Sequence, residues 1–145
     1  SHIAEKYPKK AGIRLEFNAK LAHKIEAGAD MFLMPSRYEP CGLNQIYSLK
    51  YGTVPIVRAT GGLNDTIKTF QPKANKGAGQ GTGIKFNAYK AENLLNAIKN
   101  GLKAYKDKKS WKALMVRGMQ EDFSWSASAR EYEKLYKKAH EKKLT

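Results

Sequence analysis

The stretch SRYEPCGLNQIYSLKYGTVPIV, Ser36 to Val57, sets a carboxylate, the chain's single cysteine and a glycine close together as Glu39, Cys41 and Gly42. Two readings of this cluster are open. In the plainer one, Pro40 and Gly42 punctuate a loop, and Glu39 is an acid favoured near a helix start by the helix dipole. In the chemical one, the backbone N–H groups of Cys41, Gly42, Leu43 and Asn44 lie near the unsatisfied first turn of a following helix, a place that binds anions and phosphates above all. Gly42, having no side chain, lets a phosphate or sugar approach the backbone closely. Glu39 would repel that anion unless it contacts something else, and sugar hydroxyls are a natural partner because a carboxylate accepts strong hydrogen bonds from them. A nucleotide sugar carries both groups.

The surrounding pattern says what must position these residues. Residues 13–17, IRLEF, alternate and read as a short strand; Asn18 then caps a helix carrying Leu21, Ala22 and Ile25, with Gly28 at its C′ position. DMFLMP is a nearly continuous apolar run of strand length, the pattern of a strand buried on both faces and so of a parallel sheet. Leu43, Ile46 and Tyr47 form a helical stripe closed by Gly52, and TVPIV supplies the next buried strand. This alternation predicts right-handed βαβ units: an α/β, Rossmann-like parallel sheet with helices on both faces. In such sheets ligands bind beyond the carboxyl ends of the strands, which points at the loop 36–42. Further on, QPKANKGAGQGTG reads as a surface loop, IKF as a last short strand, and three C-terminal helices follow, the last capped by Ser124 and striped by Trp125, Tyr132, Leu135, Tyr136 and Ala139.

The run from Gly28 to Ile67, GADMFLMPSRYEPCGLNQIYSLKYGTVPIVRATGGLNDTI, resembles the donor-binding region of bacterial glycogen synthases and plant starch synthases. A Pro-Ser-x-x-Glu-Pro-Cys-Gly-Leu run and a Thr-Gly-Gly-Leu-x-Asp-Thr run recur there at this spacing, and FSWSASAREYEKLY is similar to the same family's C-terminal helix. The resemblance implies a retaining glucosyltransferase of two Rossmann-like domains, moving glucose from ADP-glucose, or UDP-glucose, to the nonreducing end of an α-1,4-glucan. It implies further that residues 1–145 are the C-terminal nucleotide-sugar-binding domain, truncated on its N-terminal side, with the missing N-terminal domain as partner and an isolated fragment that is catalytically silent. Glu39 would hold hydroxyls of the donor glucose as the catalytic-site acid, and Cys41, Gly42, Leu43 and Asn44 would line the sugar and distal phosphate. Phe17 falls where the family has an aromatic packing against adenine, with a core Phe at a strand end as the alternative. Tyr47 departs from the wider fold, which often places a second Glu there for ribose hydroxyls; synthases of this family lack that Glu as well.

Other features narrow the classes. The formal net charge of +14 comes from 27 Lys and Arg against 13 Asp and Glu, yet only Arg14, Arg37, Arg58, Arg117 and Arg130 carry the guanidinium that base and phosphate readers favour. A Lys-rich solvated surface is expected, with no nucleic acid partner. His2, His23 and His140 lack ligand spacing, so neither a metal nor another cofactor is expected. Thr60-Gly61-Gly62-Leu63 lacks the spacing of a dinucleotide fingerprint and reads as a turn shaping the cleft. The lone cysteine and the absence of a long apolar run predict a cytoplasmic chain, or a plastid one if it is from a plant, with no membrane span. Two rivals stay open: another retaining glycosyltransferase of the same architecture, and a noncatalytic basic module for RNA or polyanions, whose affinity would fall steeply with salt.

Overall fold

The computed structural model describes residues 2–72 and 79–143. Within them lie three parallel strands in the order β1 (Met31–Met34), β2 (Val54–Arg58) and β3 (Ile84–Phe86), with Met31 paired to Val54 and Ile56 to Ile84. Their sequences are apolar because β2, the central strand, is covered on both sides.

Side chains alternate across the sheet, so each face has its own helices. One face sets Met34 and Val57 against α3 (Asn44–Tyr51) and α4 (Gly61–Thr66), where Leu49, Leu63 and Ile67 complete a buried cluster. On the other face, Val54, Ile56, Ile84 and Phe86 meet α5 (Ala91–Lys106) and α6 (Lys108–Gln120) through Ala97, Trp111 and Leu114. The predicted α/β arrangement with helices on both faces and C-terminal helices is therefore present. Helix α3 ends as its sequence says it should: Gly52 takes φ 81° and its N–H returns to the Leu49 and Ser48 carbonyls.

Four local expectations are corrected. Residues 13–17 form no strand, and Leu15 and Phe17 are fully exposed, because no neighbouring strand pairs with their backbone. Helix α2 (Ala19–Gly28) starts at the Asn18 cap but does not end on a left-handed glycine; Ala29 is the cap residue, and the Thr53 hydroxyl donates to the Glu26 carbonyl at 2.5 Å and to the Ala29 carbonyl at 3.0 Å. Strand β1 is not buried on both faces. It lies at the sheet edge, and Leu33 keeps 45% of its surface exposed. The Thr60–Leu63 segment is not a simple turn but the cap and first turn of α4.

A short helix, α1 (His2–Lys6), opens the described chain, and α7 (Trp125–Lys143) closes it, with Ser124 Oγ accepting from the Ala127 N–H. The expected surface loop falls partly on residues 73–78, outside the described residues. Its two arms are joined by the Gln71–Gln80 pair, and Arg117 Nε donates to the Gly81 carbonyl at 2.9 Å. No helix among the described residues is long and apolar enough to cross a membrane.

Candidate functional site

The carboxyl ends of the three strands open onto the β1–α3 loop, residues 35–43, the β2–α4 turn and the β3–α5 loop. Glu39, Cys41, Gly42 and Leu43 lie in the first of these, and Asn44 opens α3 directly after it. Glu39 is half-buried, whereas Cys41, Leu43 and Asn44 are exposed. Leu43 precedes α3 in the N-cap position with helical φ and ψ, and no side chain caps the helix. A chain that wanted only a stable helix start would use Ser, Thr, Asp or Asn there. The Ile46 N–H is taken by the Leu43 carbonyl at 2.9 Å, and the N–H groups of Asn44 and Gln45 are left for an external acceptor, the arrangement that favours an anion.

Three backbone clamps hold this loop still. The first is Gln45, fully buried beneath it, whose Nε2 donates to the Cys41 carbonyl at 3.0 Å, the Gly42 carbonyl at 3.1 Å and Thr66 Oγ1 at 3.3 Å. Thr66 in turn donates to the Gly62 carbonyl at 2.6 Å. Gly42 has φ 72°, and a Cβ built on it would lie 2.5 Å from Gln45 Oε1, so the glycine is needed both for its conformation and for its missing side chain.

The second clamp comes from α4, where the Gly62 N–H is shared between the Glu39 carbonyl at 3.1 Å and the Pro40 carbonyl at 3.0 Å. Backbone touches backbone here: a Cβ on Gly61 would collide with the Glu39 carbonyl, and one on Gly62 with that of Cys41. The third is Arg58, at the end of β2, which donates to the Ser36 and Arg37 carbonyls. Sequence alone singles out neither Gln45 nor Arg58 as a clamp, and it reads the Gly61-Gly62 pair only as part of a turn shaping the cleft. The signal for the second was the Gly61-Gly62 pair, whose meaning needs the facing loop; Gln45 and Arg58 carry no local signal.

Phe17 stands apart, on the segment leading into α2, its ring exposed. Within this chain its aromatic face is open, beside a cavity of about 200 Å³ lined also by Arg14, Asn18, Leu21 and Ile25. Helix α2 packs on α3 through His23, whose ring lies edge-on to Tyr47 at 5.1 Å and whose Nδ1 is 3.3 Å from the Tyr51 hydroxyl. Tyr47 is thus half-buried against its neighbour helix, and His23 is a packing residue. Among the described residues no group of three or more His, Cys, Asp or Glu is placed to hold a metal ion.

Comparison with known proteins agrees with this geometry. Residues 2–113 match the family described as "Glycosyl transferases group 1". The glycogen synthase of Koribacter versatilis (strain Ellin345) is 56% identical over 137 residues, 94% of this chain and 28% of that protein. The glycogen synthase of Fervidobacterium nodosum is 51% identical over 140 residues, again 28% of its length. Among solved structures, the catalytic domain of starch synthase IV from Arabidopsis thaliana bound to ADP and acarbose superposes with a TM-score of 0.77 at 34% identity, over 94% of this chain and 28% of that one. The chain therefore spans just over a quarter of the relatives it matches, and with a family match over most of its residues it belongs to the group 1 glycosyl transferases.

Proposed function

We propose that the chain is the C-terminal, nucleotide-sugar-binding domain of a glycogen or starch synthase, completed by an N-terminal domain across the cleft. Such an enzyme transfers glucose from ADP-glucose, or UDP-glucose, to the nonreducing end of an α-1,4-glucan with retention. The observation that carries the reading is a single pinned loop that holds both an uncapped helix start and, three residues before Gly42, a carboxylate. Relatives named glycogen synthase at 50–56% identity support it, as does a structural neighbour solved with ADP and acarbose. A lone exposed cysteine suits a reducing compartment, the cytoplasm or a plastid.

In this reading the Asn44 and Gln45 N–H groups at the start of α3 receive the distal phosphate, and the Cys41–Leu43 backbone lines the sugar. Glu39 accepts hydrogen bonds from glucose hydroxyls, and Phe17 offers its face to the nucleobase. The bond from the anomeric carbon to the diphosphate oxygen breaks as the acceptor's 4-hydroxyl oxygen bonds to that carbon from the same side, and the hydroxyl proton passes to the departing diphosphate oxygen. Fixed dipoles aimed at the leaving diphosphate lower the barrier because they need no reorganisation. The reading calls for no metal and no cofactor.

The test is made on the complete protein carrying this domain, with ADP-glucose and UDP-glucose as donors and a maltooligosaccharide acceptor. A charged hydrogen bond contributes about 1.5–3 kcal/mol, so Glu39→Ala is expected to lower kcat/KM by roughly 10- to 150-fold. Melting temperature should hold, and ADP affinity should hold or tighten as a repulsive charge is removed. No transfer from either donor by the wild type would sink the reading; near-normal transfer by Glu39→Ala would return Glu39 to the role of a helix-start acid.

A further inference from the structure

Arg58 ends the central strand, and its side chain reaches the loops that leave both flanking strands. Nε donates to the Ser36 carbonyl at 2.7 Å, Nη2 to the Arg37 carbonyl, and Nη1 to the Asn87 carbonyl at 3.4 Å. The guanidinium also lies over the Tyr89 ring, 5.7 Å from its centroid. Ser36 and Arg37 follow β1, and Asn87 and Tyr89 follow β3. One planar group therefore ties together the exits of all three strands.

The anchors of the 35–43 loop are spread along it, with the Gly62 N–H on the Glu39 and Pro40 carbonyls at its middle. Its C-terminal half, at Cys41 and Gly42, hangs on Gln45, within the helix whose N–H groups face the anion. The N-terminal half, at Ser36 and Arg37, hangs on Arg58, two residues before Glu39. We propose that Arg58 is a positioning residue of Glu39: it fixes the direction in which the chain leaves β1 and so, together with the Gly62 N–H on the Glu39 carbonyl, the place of the carboxylate, without itself touching the donor. The proposal rests on the reading of Glu39 as the sugar-contacting acid. Arginine suits the task because its five N–H donors are fixed in a planar fork that meets several carbonyls at once and stacks on an aromatic ring, whereas a lysine ammonium is a compact point charge on a flexible stem.

The consequence is a split between two ligand functions that a merely structural role would not produce. Displacing a reacting group by about 1 Å can cost on the order of 100-fold in rate, so in the complete enzyme Arg58→Ala is expected to lower kcat with ADP-glucose by roughly 10- to 100-fold. The inhibition constant of ADP, which engages the half of the loop held by Gln45, should move by less than about threefold by the same positional argument. Arg58→Lys, which keeps the charge and one or two of the donated bonds, should fall between wild type and Arg58→Ala in kcat with ADP inhibition again unchanged.

If Arg58→Ala does not fold, Arg58→Lys decides alone, on the same split. Transfer within about twofold of wild type, ADP affinity falling in parallel with kcat, or a loss accounted for by a lower melting temperature would each overturn the proposal. Glu39→Ala measured alongside separates the two readings. A large loss there with none at Arg58 removes the positioning role alone, whereas no loss there removes the role of Glu39 on which the positioning rests.

Discussion

Helices α3 and α7 both announce themselves in the sequence as apolar stripes, yet the fold treats them differently. The eight residues of α3 bury Gln45, Ser48 and Leu49, with Leu49 enclosed by Met34, Val57, Leu63 and Ile67 and approached by Gly118 of α6. The nineteen residues of α7 leave Trp125, Tyr132, Leu135 and Tyr136 exposed, and its polar side carries local ion pairs, Lys134 with Glu131 and Lys137 with Glu133. Exposed pairs of that kind contribute under about 1 kcal/mol each. A stripe in the sequence marks a face suited to burial; only a facing element turns it into stability.

The sharpest way to break this comparison is to shorten one leucine on each helix. Leu49→Ala removes a side chain that is 2% exposed, and a cavity of that kind costs about 2–5 kcal/mol. Leu135→Ala should stay within about 0.5 kcal/mol, as surface changes do. Urea unfolding of the two variants measures both. A Leu135→Ala loss comparable to that of Leu49→Ala would mean that α7 is covered in solution.

The same distinction explains which parts of the fold and site could be read from sequence. The runs FLM and VPIV, the Gly52 cap and the loop bearing Glu39 are local signals, and each stands where the pattern put it. IRLEF alternates like a strand, but a strand exists only where another strand meets its hydrogen bonds, and the described residues provide none. What holds the loop was not legible for a related reason. Gln45 meets Thr66 across 21 positions, Arg58 meets Ser36 across 22, and Gly62 matters because of the carbonyls of Glu39 and Pro40; in one dimension these residues carry no mark of their partners.

Two glycines test the comparison at smaller effect. At Gly62 a methyl group would strike the Cys41 backbone, so Gly62→Ala should destabilise by about 1–3 kcal/mol, the usual cost of forcing atoms into filled space. At Gly28, near the end of α2, a Cβ would meet nothing within 4 Å and φ is not positive. There Gly28→Ala should stabilise by about 0.4–1 kcal/mol, through the unfolded chain. Thermal melts of both variants give the answer, and equal destabilisation would show that the open space at Gly28 is filled.

The smallest effect lies inside the buried region and turns on a partly satisfied polar group. Gln45 donates through Nε2 to three oxygens while its Oε1 has no hydrogen-bond partner, and Glu26, 3% exposed, likewise has a carboxylate oxygen, Oε2, with none. Burial raises the Glu26 pKa above its ordinary 4.5, and the nearby His23 charge offsets this only in part. The folded protein therefore holds this proton more tightly than the unfolded chain does. Its contribution is fully present below pH 4.5 and is lost as pH rises through the higher folded pKa. Asp107 behaves in the opposite sense: hydrogen bonds from the Ser110 hydroxyl and N–H lower its pKa below 3.8, so its contribution is present above that value and lost as pH falls. Replacing the carboxylate by an amide that cannot ionise removes only the Glu26 component. Glu26→Gln should flatten the decline of stability between pH 4.5 and neutrality, and at pH 7 it should gain about 1 kcal/mol or less, since the amide is left with imperfect partners of its own. Urea midpoints from pH 4 to 8 for wild type and variant measure the difference. A variant whose deficit grows as pH rises would mean that the Glu26 carboxylate is held ionised by a partner.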